Sequence, residues 1–216
     1  MTLSLEHIIQ KPSITSSDKA PLLLLLHGYG SNEEDLFSFA EELPKNYFII
    51  SARAPIAMQP YGNAWYHISI DPDGVKSSDN DGARQSRDLI ARFIDEAIET
   101  YDLDKHNVTL LGFSQGTILS YAVALTYPEK IKNVIGLSGY INEDIIGLKS
   151  NPSYAHLNVY NSHGTVDQVI PIDAARKTPP YLEKVGINST LSEFPVGHGV
   201  HPTNFYEFKK WLKEQV

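Results

Sequence analysis

Val108-Thr-Leu-Leu111-Gly112-Phe-Ser114-Gln-Gly116-Thr-Ile-Leu-Ser-Tyr-Ala-Val-Ala-Leu-Thr-Tyr127-Pro128 is the stretch from which the architecture can be read. Residues 108–111 are a short apolar run of the kind that forms a strand buried on both faces. Residues 115–127 read as a helix stopped by Pro128. Between them lies Gly112-Phe-Ser114-Gln-Gly116, a serine on a sharp strand-to-helix turn. Such a turn strains the serine backbone and lifts its hydroxyl above the sheet, and the flanking glycines let the helix approach the strand. The helix N-terminus behind it favours developing negative charge. A second serine at a strand end, in Gly136-Leu-Ser138-Gly139-Tyr140, lacks both the spaced glycine and the following helix, and is read as structural.

Working outward, strands and helices alternate. Residues 3–9 are apolar at every second position, as in a half-buried edge strand. Residues 22–26 and 48–52 are short apolar runs, and 32–43 between them reads as a helix capped by Asn32, with Glu33, Glu34 and Asp35 in its first turn. Residues 83–101 place Ile90, Phe93, Ile94, Ala97, Ile98 and Tyr101 on one helical face. Further strands are expected at 134–137, 157–160 and 189–194, and a closing amphipathic helix at 204–215. This pattern implies right-handed crossovers and a mainly parallel sheet of about seven strands, with helices on both faces. Ligands in such sheets bind beyond the carboxyl ends of the strands.

Composition sets the bounds. The 216 residues are 42% hydrophobic and 20% charged, enough to bury one sizeable core, and no linker or repeat divides them, so residues 1–216 are read as one domain. A formal charge of −8 argues against nucleic-acid binding and against stable association with anionic membranes. There is no cysteine, which removes disulfides, thiolate metal sites and thiol nucleophiles together. Residues 1–7 have neither a basic nor an apolar leader region, and the longest aliphatic run is too short to span a bilayer. A cytoplasmic location is therefore expected.

A serine hydroxyl needs a base to become a nucleophile. Of eight histidines, His27 and His163 each precede a glycine at a strand end and are read as loop-shaping. His198, in Gly197-His198-Gly199, follows the 189–194 strand by a short loop from which it can swing over the sheet; His201, just before Pro202, is its rival. Asp167 lies in a loop at another strand end, better placed to orient the base than Asp144 or Asp173, although an aspartate there could equally serve the turn itself. The chain order Ser114, Asp167, His198 is the nucleophile–acid–base order of the α/β-hydrolases. Backbone N–H groups of Tyr29 and Gln115 are positioned to form an oxyanion hole.

On these residues the chain resembles the phospholipase/carboxylesterase group of α/β-hydrolases, which includes the acyl-protein thioesterases. The resemblance rests on Leu26-His-Gly-Tyr-Gly30, Arg53-Ala-Pro55, Ala64-Trp65-Tyr66, Gly112-Phe-Ser-Gln-Gly116, His163-Gly-Thr-Val-Asp167 and Gly197-His-Gly199. It implies Ser114, Asp167 and His198 as catalytic residues and Tyr29 and Gln115 as oxyanion donors. It favours His198 over His201. Four places depart from the family pattern. Thr117 replaces a glycine, Trp65-Tyr66-His67 stands for Trp-Phe-Asp, Pro179-Pro180 is expected to interrupt a helix, and 142–156 is a longer connection.

Residues 55–81 show little periodicity and read as one long loop. Met58 and Trp65 from it, with Phe113, are candidates for an apolar wall of the substrate cleft, although loop aromatics also serve to pin a loop down. The acidic cluster Asp71, Asp73, Asp79 and Asp81 lacks the spacing of a calcium loop and is read as solvated, so no metal and no cofactor is expected. The expected activity is that of a serine carboxylesterase acting on small-molecule esters, or thioesters, with short to medium acyl groups, with no inserted lid domain and room for a homodimer. The alternatives are a non-catalytic binding module on the same fold, or a peptidase or lactone hydrolase.

Overall fold

The computed structural model describes residues 3–14, 18–71, 73, 76–147 and 153–215. In chain order the strands are β1 (His7–Gln10), β2 (Pro21–Leu26), β3 (Phe48–Ala52), β4 (Ile56–Ala57), β5 (Asn63–Ala64), β6 (Ile68–Ile70), β7 (Lys76–Ser78), β8 (Asp104–Phe113), β9 (Asn133–Leu137), β10 (Asn158–Gly164) and β11 (Leu191–Phe194). The helices are α1 (Glu34–Phe37), α2 (Asn80–Tyr101), α3 (Gln115–Thr126), α4 (Ile172–Ala175), α5 (Thr178–Lys184) and α6 (Pro202–Glu214). Seven strands form one sheet in the order β1-β3-β2-β8-β9-β10-β11. Only β1 runs antiparallel to its neighbour, so the sheet is otherwise parallel.

The leucine run of β2 shows how both faces are covered. Leu22, Leu24 and Leu26 join one core with Ile90, Phe93 and Ile94 of α2 and Leu119 and Val123 of α3. Leu23 and Leu25 point the other way, into a core with Leu36 of α1 and Phe205, Phe208 and Leu212 of α6. A strand that is apolar at every position satisfies a sheet with helices on both sides. Each fully buried leucine contributes about 1.5–3 kcal/mol. Helix α3 is buried along its whole length, consistent with its apolar surface. This is the α/β-hydrolase architecture.

Several local expectations change. Pairing in β1 begins at His7 rather than at residue 3; the preceding alternation instead sends Leu5 into the core. The helix expected at 32–43 is broken into α1 and a single 3-10 turn, Ala40–Glu42. The Ser38 hydroxyl bonds back to the Asp35 carbonyl, competing with continued helix. Asn32 still caps the turn, its Oδ1 accepting from Glu34 N at 2.9 Å. The long loop at 55–81 carries two small antiparallel pairs, β4–β5 and β6–β7. Strand β10 runs on to Gly164, so His163 belongs to the strand and not to the loop after it. Pro179 and Pro180 do not interrupt a helix: they sit in the first turn of α5, where missing N–H groups cost nothing. Part of the 142–156 connection lies outside the described residues. In the rest, Arg87 donates to the Ile145 carbonyl at 2.6 Å.

Candidate active site

Strand β8 ends at Phe113 and α3 begins at Gln115, which leaves Ser114 alone to make the turn. Its backbone has φ +53° and ψ −114°, a left-handed conformation that costs a residue with a side chain about 1–3 kcal/mol. Two contacts hold it there. Ser114 N donates to the Leu137 carbonyl at 2.9 Å. Helix α3 lies so close to β2 that a methyl group on Gly116 would overlap the Leu26 carbonyl. Thr117 fills the space beside β9: its hydroxyl donates toward the Gly112 and Leu137 carbonyls, and Gly136 and Gly139 leave room for it.

His198 reaches Ser114 from the loop after β11. Its Nε2 lies 3.0 Å from Ser114 Oγ and its Nδ1 2.7 Å from Asp167 Oδ2. Its ring packs beside Phe113, with centroids 5.0 Å apart. Asp167, in the turn after β10, serves two purposes at once. Oδ1 accepts from the N–H groups of Val169 and Ile170 at 2.8 and 2.9 Å, making the aspartate turn, while Oδ2 faces His198. Burial pushes the Asp167 carboxyl up. The His198 bond and the two backbone donors outweigh it and hold the group below the usual carboxylate range.

The rivals are engaged elsewhere. His201 caps α6, its Nδ1 accepting from Thr203 N at 3.2 Å, and its ring stacks on Phe194. Asp173 pairs with Arg176, and Asp144 accepts from Asn80. Ser138 also has a left-handed φ, +52°, at the end of β9, but among the described residues its hydroxyl reaches only the Gly199 carbonyl, at 3.4 Å. Of the acidic cluster, Asp79 caps α2 and Asp81 pairs with Arg84.

The segment 27–30 lies against Ser114: a methyl group on Gly28 would sit 3.4 Å from Ser114 Cβ and 3.1 Å from the Phe113 ring. His27 sets the geometry of this segment. It is fully buried, and its Nε2 accepts from Ala54 N at 3.0 Å, which leaves the proton on Nδ1 to be donated to the Gly28 carbonyl at 2.7 Å. That carbonyl belongs to the peptide whose N–H is Tyr29's, so His27 fixes the plane of a candidate oxyanion donor. Burial pushes the His27 pKa down and keeps the ring neutral, as this pair of bonds requires.

Trp65 is a correction. Its side chain is 0% exposed, and its indole N–H donates to the His27 carbonyl at 3.0 Å. It pins the loop to the body and lines no open cleft. The Gln115 side chain holds the same segment, with Oε1 accepting from Trp65 N and Nε2 donating to the Tyr66 carbonyl, both at 2.9 Å. Met58 and Phe113 remain partly exposed. The structural work of His27 and of the Gln115 carboxamide was not read from the sequence. Their burial was the missing signal, since nothing in a loop sequence marks which polar side chain turns inward.

A family model described as Phospholipase/Carboxylesterase matches residues 9–216. The chain belongs to that family. Acyl-protein thioesterase 1 of Kluyveromyces lactis is 28% identical over 176 residues, covering 76% of each chain. Carboxylesterase SOBER1 of Arabidopsis thaliana is 24% identical over 206 residues, covering 90% of each. A Bacillus cereus carboxylesterase structure shares the fold, with TM-score 0.83 at 23% identity over 99% of this chain and 95% of that one. Membership makes this chain a serine hydrolase with esterase activity. Among its described residues no helix is long and apolar enough to cross a membrane.

Proposed function

We propose that the chain is a carboxylesterase that cleaves esters, and thioesters, of short to medium acyl groups through Ser114, His198 and Asp167. The observation that carries this reading is the continuous contact from Ser114 Oγ to His198 Nε2 and from His198 Nδ1 to Asp167 Oδ2. Ser114 Oγ attacks the carbonyl carbon while its proton passes to His198 Nε2. The resulting oxyanion accepts from the N–H groups of Tyr29 and Gln115. Collapse expels the alcohol or thiol, which takes the proton from His198 and leaves Ser114 acylated. Water then attacks the acyl-enzyme, His198 takes its proton, and the acid departs as Ser114 Oγ recovers it. Asp167 stays anionic throughout and holds His198 in the tautomer with hydrogen on Nδ1.

Phe113, which touches His198, and Met58 are the apolar groups assigned to the acyl chain. Each buried methylene adds about 0.8 kcal/mol while apolar wall remains to meet it. For aryl esters kcat/KM therefore rises over short acyl chains and then levels or falls. Labelling with a fluorophosphonate, followed by a panel of esters, thioesters, lactones and amides, tests the proposal. Label on Ser114 and turnover of esters are expected. Label on Ser138 would refute the nucleophile assignment. A preference for lactones or amides, or a steady rise out to palmitoyl esters, would refute the substrate reading.

A further inference from the structure

His163 is a buried titratable group that the reaction above does not use. It is the penultimate residue of β10, and its side chain has no exposed surface. Its Nε2 lies 2.8 Å from the Ile170 carbonyl oxygen and 3.3 Å from Asp167 Oδ2. Both are acceptors, so Nε2 carries the hydrogen: it bonds the Ile170 carbonyl, and Asp167 Oδ2 stands in longer contact with the same nitrogen. In that tautomer Nδ1 has only a lone pair, and it is buried without a hydrogen-bond partner among the described residues. An apolar ring of the same shape would pack here without an unmet nitrogen, so packing alone does not favour histidine. Only the Nε2 side offers a gain.

We infer that His163 is a positioning residue for the catalytic acid, holding the same Asp167 oxygen that receives His198. This rests on the proposed roles of Ser114, Asp167 and His198. With His163 included, each oxygen of the Asp167 carboxylate faces two nitrogens: Val169 N and Ile170 N bond Oδ1, His198 Nδ1 bonds Oδ2, and His163 Nε2 stands 3.3 Å from Oδ2. The carboxylate then has one orientation. By bonding the Ile170 carbonyl, His163 also steadies the residue whose N–H serves Oδ1. The charged groups around it are Asp167 and, in the register position opposite on β11, Glu193, whose charge is met by Arg176 at 2.8 Å. Removing the Nε2 donor leaves Oδ2 to His198 alone. The carboxylate then both turns more freely and draws harder on the His198 proton, so the protonated imidazole is favoured.

The test compares His163→Leu with His163→Gln, whose amide nitrogen can take the place of Nε2. In the leucine variant kcat should fall about 10- to 100-fold with KM within about twofold, as for loss of orientation in the reacting complex. The acid limb of kcat/KM against pH should move to higher pH. Glutamine should restore both. In the resting protein the proton resonance of His198 Nδ1–H should shift in the leucine variant and return in the glutamine variant. His163→Phe, which keeps a ring in place, substitutes if the leucine variant does not fold. A folded leucine or phenylalanine variant with wild-type kcat, pH profile and resonance would overturn the inference. So would a glutamine variant as impaired as the leucine one. The resonance needs no turnover: its shift and recovery in a protein that hydrolyses no ester would uphold the role of His163 and sink the proposed function instead.

Discussion

Ser114 should be a site where stability and activity separate, and two substitutions isolate the reason. Its φ of +53° and ψ of −114° strain any residue that carries a Cβ, by about 1–3 kcal/mol. Ser114→Gly removes the strain but frees the unfolded chain, which offsets about 0.5–1 kcal/mol. Ser114→Ala keeps the Cβ and the strain while losing the same hydroxyl and the same bond to His198. The difference between the two variants therefore reports the backbone alone. The glycine variant should be more stable by about 1 kcal/mol, and at this chain length 1 kcal/mol shifts Tm by about 2–4 °C. Thermal unfolding followed by circular dichroism at one protein concentration measures it. Both variants should lose kcat by roughly 10⁴- to 10⁶-fold, since nucleophile and base act as one unit. Equal Tm values for the two variants, or a lower one for glycine, would show that the turn is not strained as the torsion angles imply.

Other outcomes follow from neighbouring contacts. Ser138→Ala should leave kcat/KM near wild type in an ester assay, because its hydroxyl makes only a long contact to Gly199. Asp167 is held below the usual carboxylate range, so it is charged across the neutral range. By the same sign, its contribution to stability is complete above the unfolded value of about 3.9 and is lost as pH falls through the lower folded value, which urea titrations across the acid range would record. Asp167→Asn should fold yet lose about 10⁴-fold in kcat, because an amide favours the wrong imidazole tautomer. Trp65→Ala should destabilise by about 3–5 kcal/mol, read from urea unfolding; a stable variant with altered acyl-chain preference would return Trp65 to the cleft wall.

Elements with a period were legible, and elements without one were not. The runs at 22–26 and 48–52 and the apolar face of 83–101 identify buried strands and an amphipathic helix because every second, third or fourth side chain must meet a core. That Ser114, Asp167 and His198 come together was legible because each lies near a strand end, and the ends of neighbouring parallel strands lie on one side of the sheet. Sequence leaves Trp65 open between lining a cleft and pinning the loop, because an aromatic in an aperiodic loop carries no sign of the direction it faces; its burial decides for pinning. His163 reads as a loop residue because the polar Asn161, Ser162 and His163 end the pattern expected of a buried strand. In the fold these polar side chains are buried and bonded, Asn161 to Tyr121 and Ser162 to Asn204. The prolines at 179 and 180 read as a break because the helix start lies just before them, at Thr178.

The candidate oxyanion donors are backbone groups, so no side chain at Tyr29 or Gln115 is needed to supply them, yet their aim depends on side chains some distance away in sequence. His27 orients the Gly28–Tyr29 peptide, and the Trp65 indole holds the His27 carbonyl. The Gln115 carboxamide grips the Trp65–Tyr66 backbone, and Asn63 bonds Gly30 and Ser31 through its own backbone. The segment from Asn63 to Tyr66 thus ties the turn after β2 to the first residue of α3. On the proposed mechanism, strain at Ser114 would trade stability for activity, whereas this network would couple them in the same direction. Gln115→Leu keeps the donor N–H but strips partners from two buried backbone groups, at about 1–3 kcal/mol for each. It should therefore lower Tm and kcat together, while Ser114→Gly abolishes kcat yet has a higher Tm than Ser114→Ala. If Gln115→Leu lowered Tm and left kcat intact, the aim of the donor N–H would have to come from the strand–turn–helix geometry at Ser114 alone.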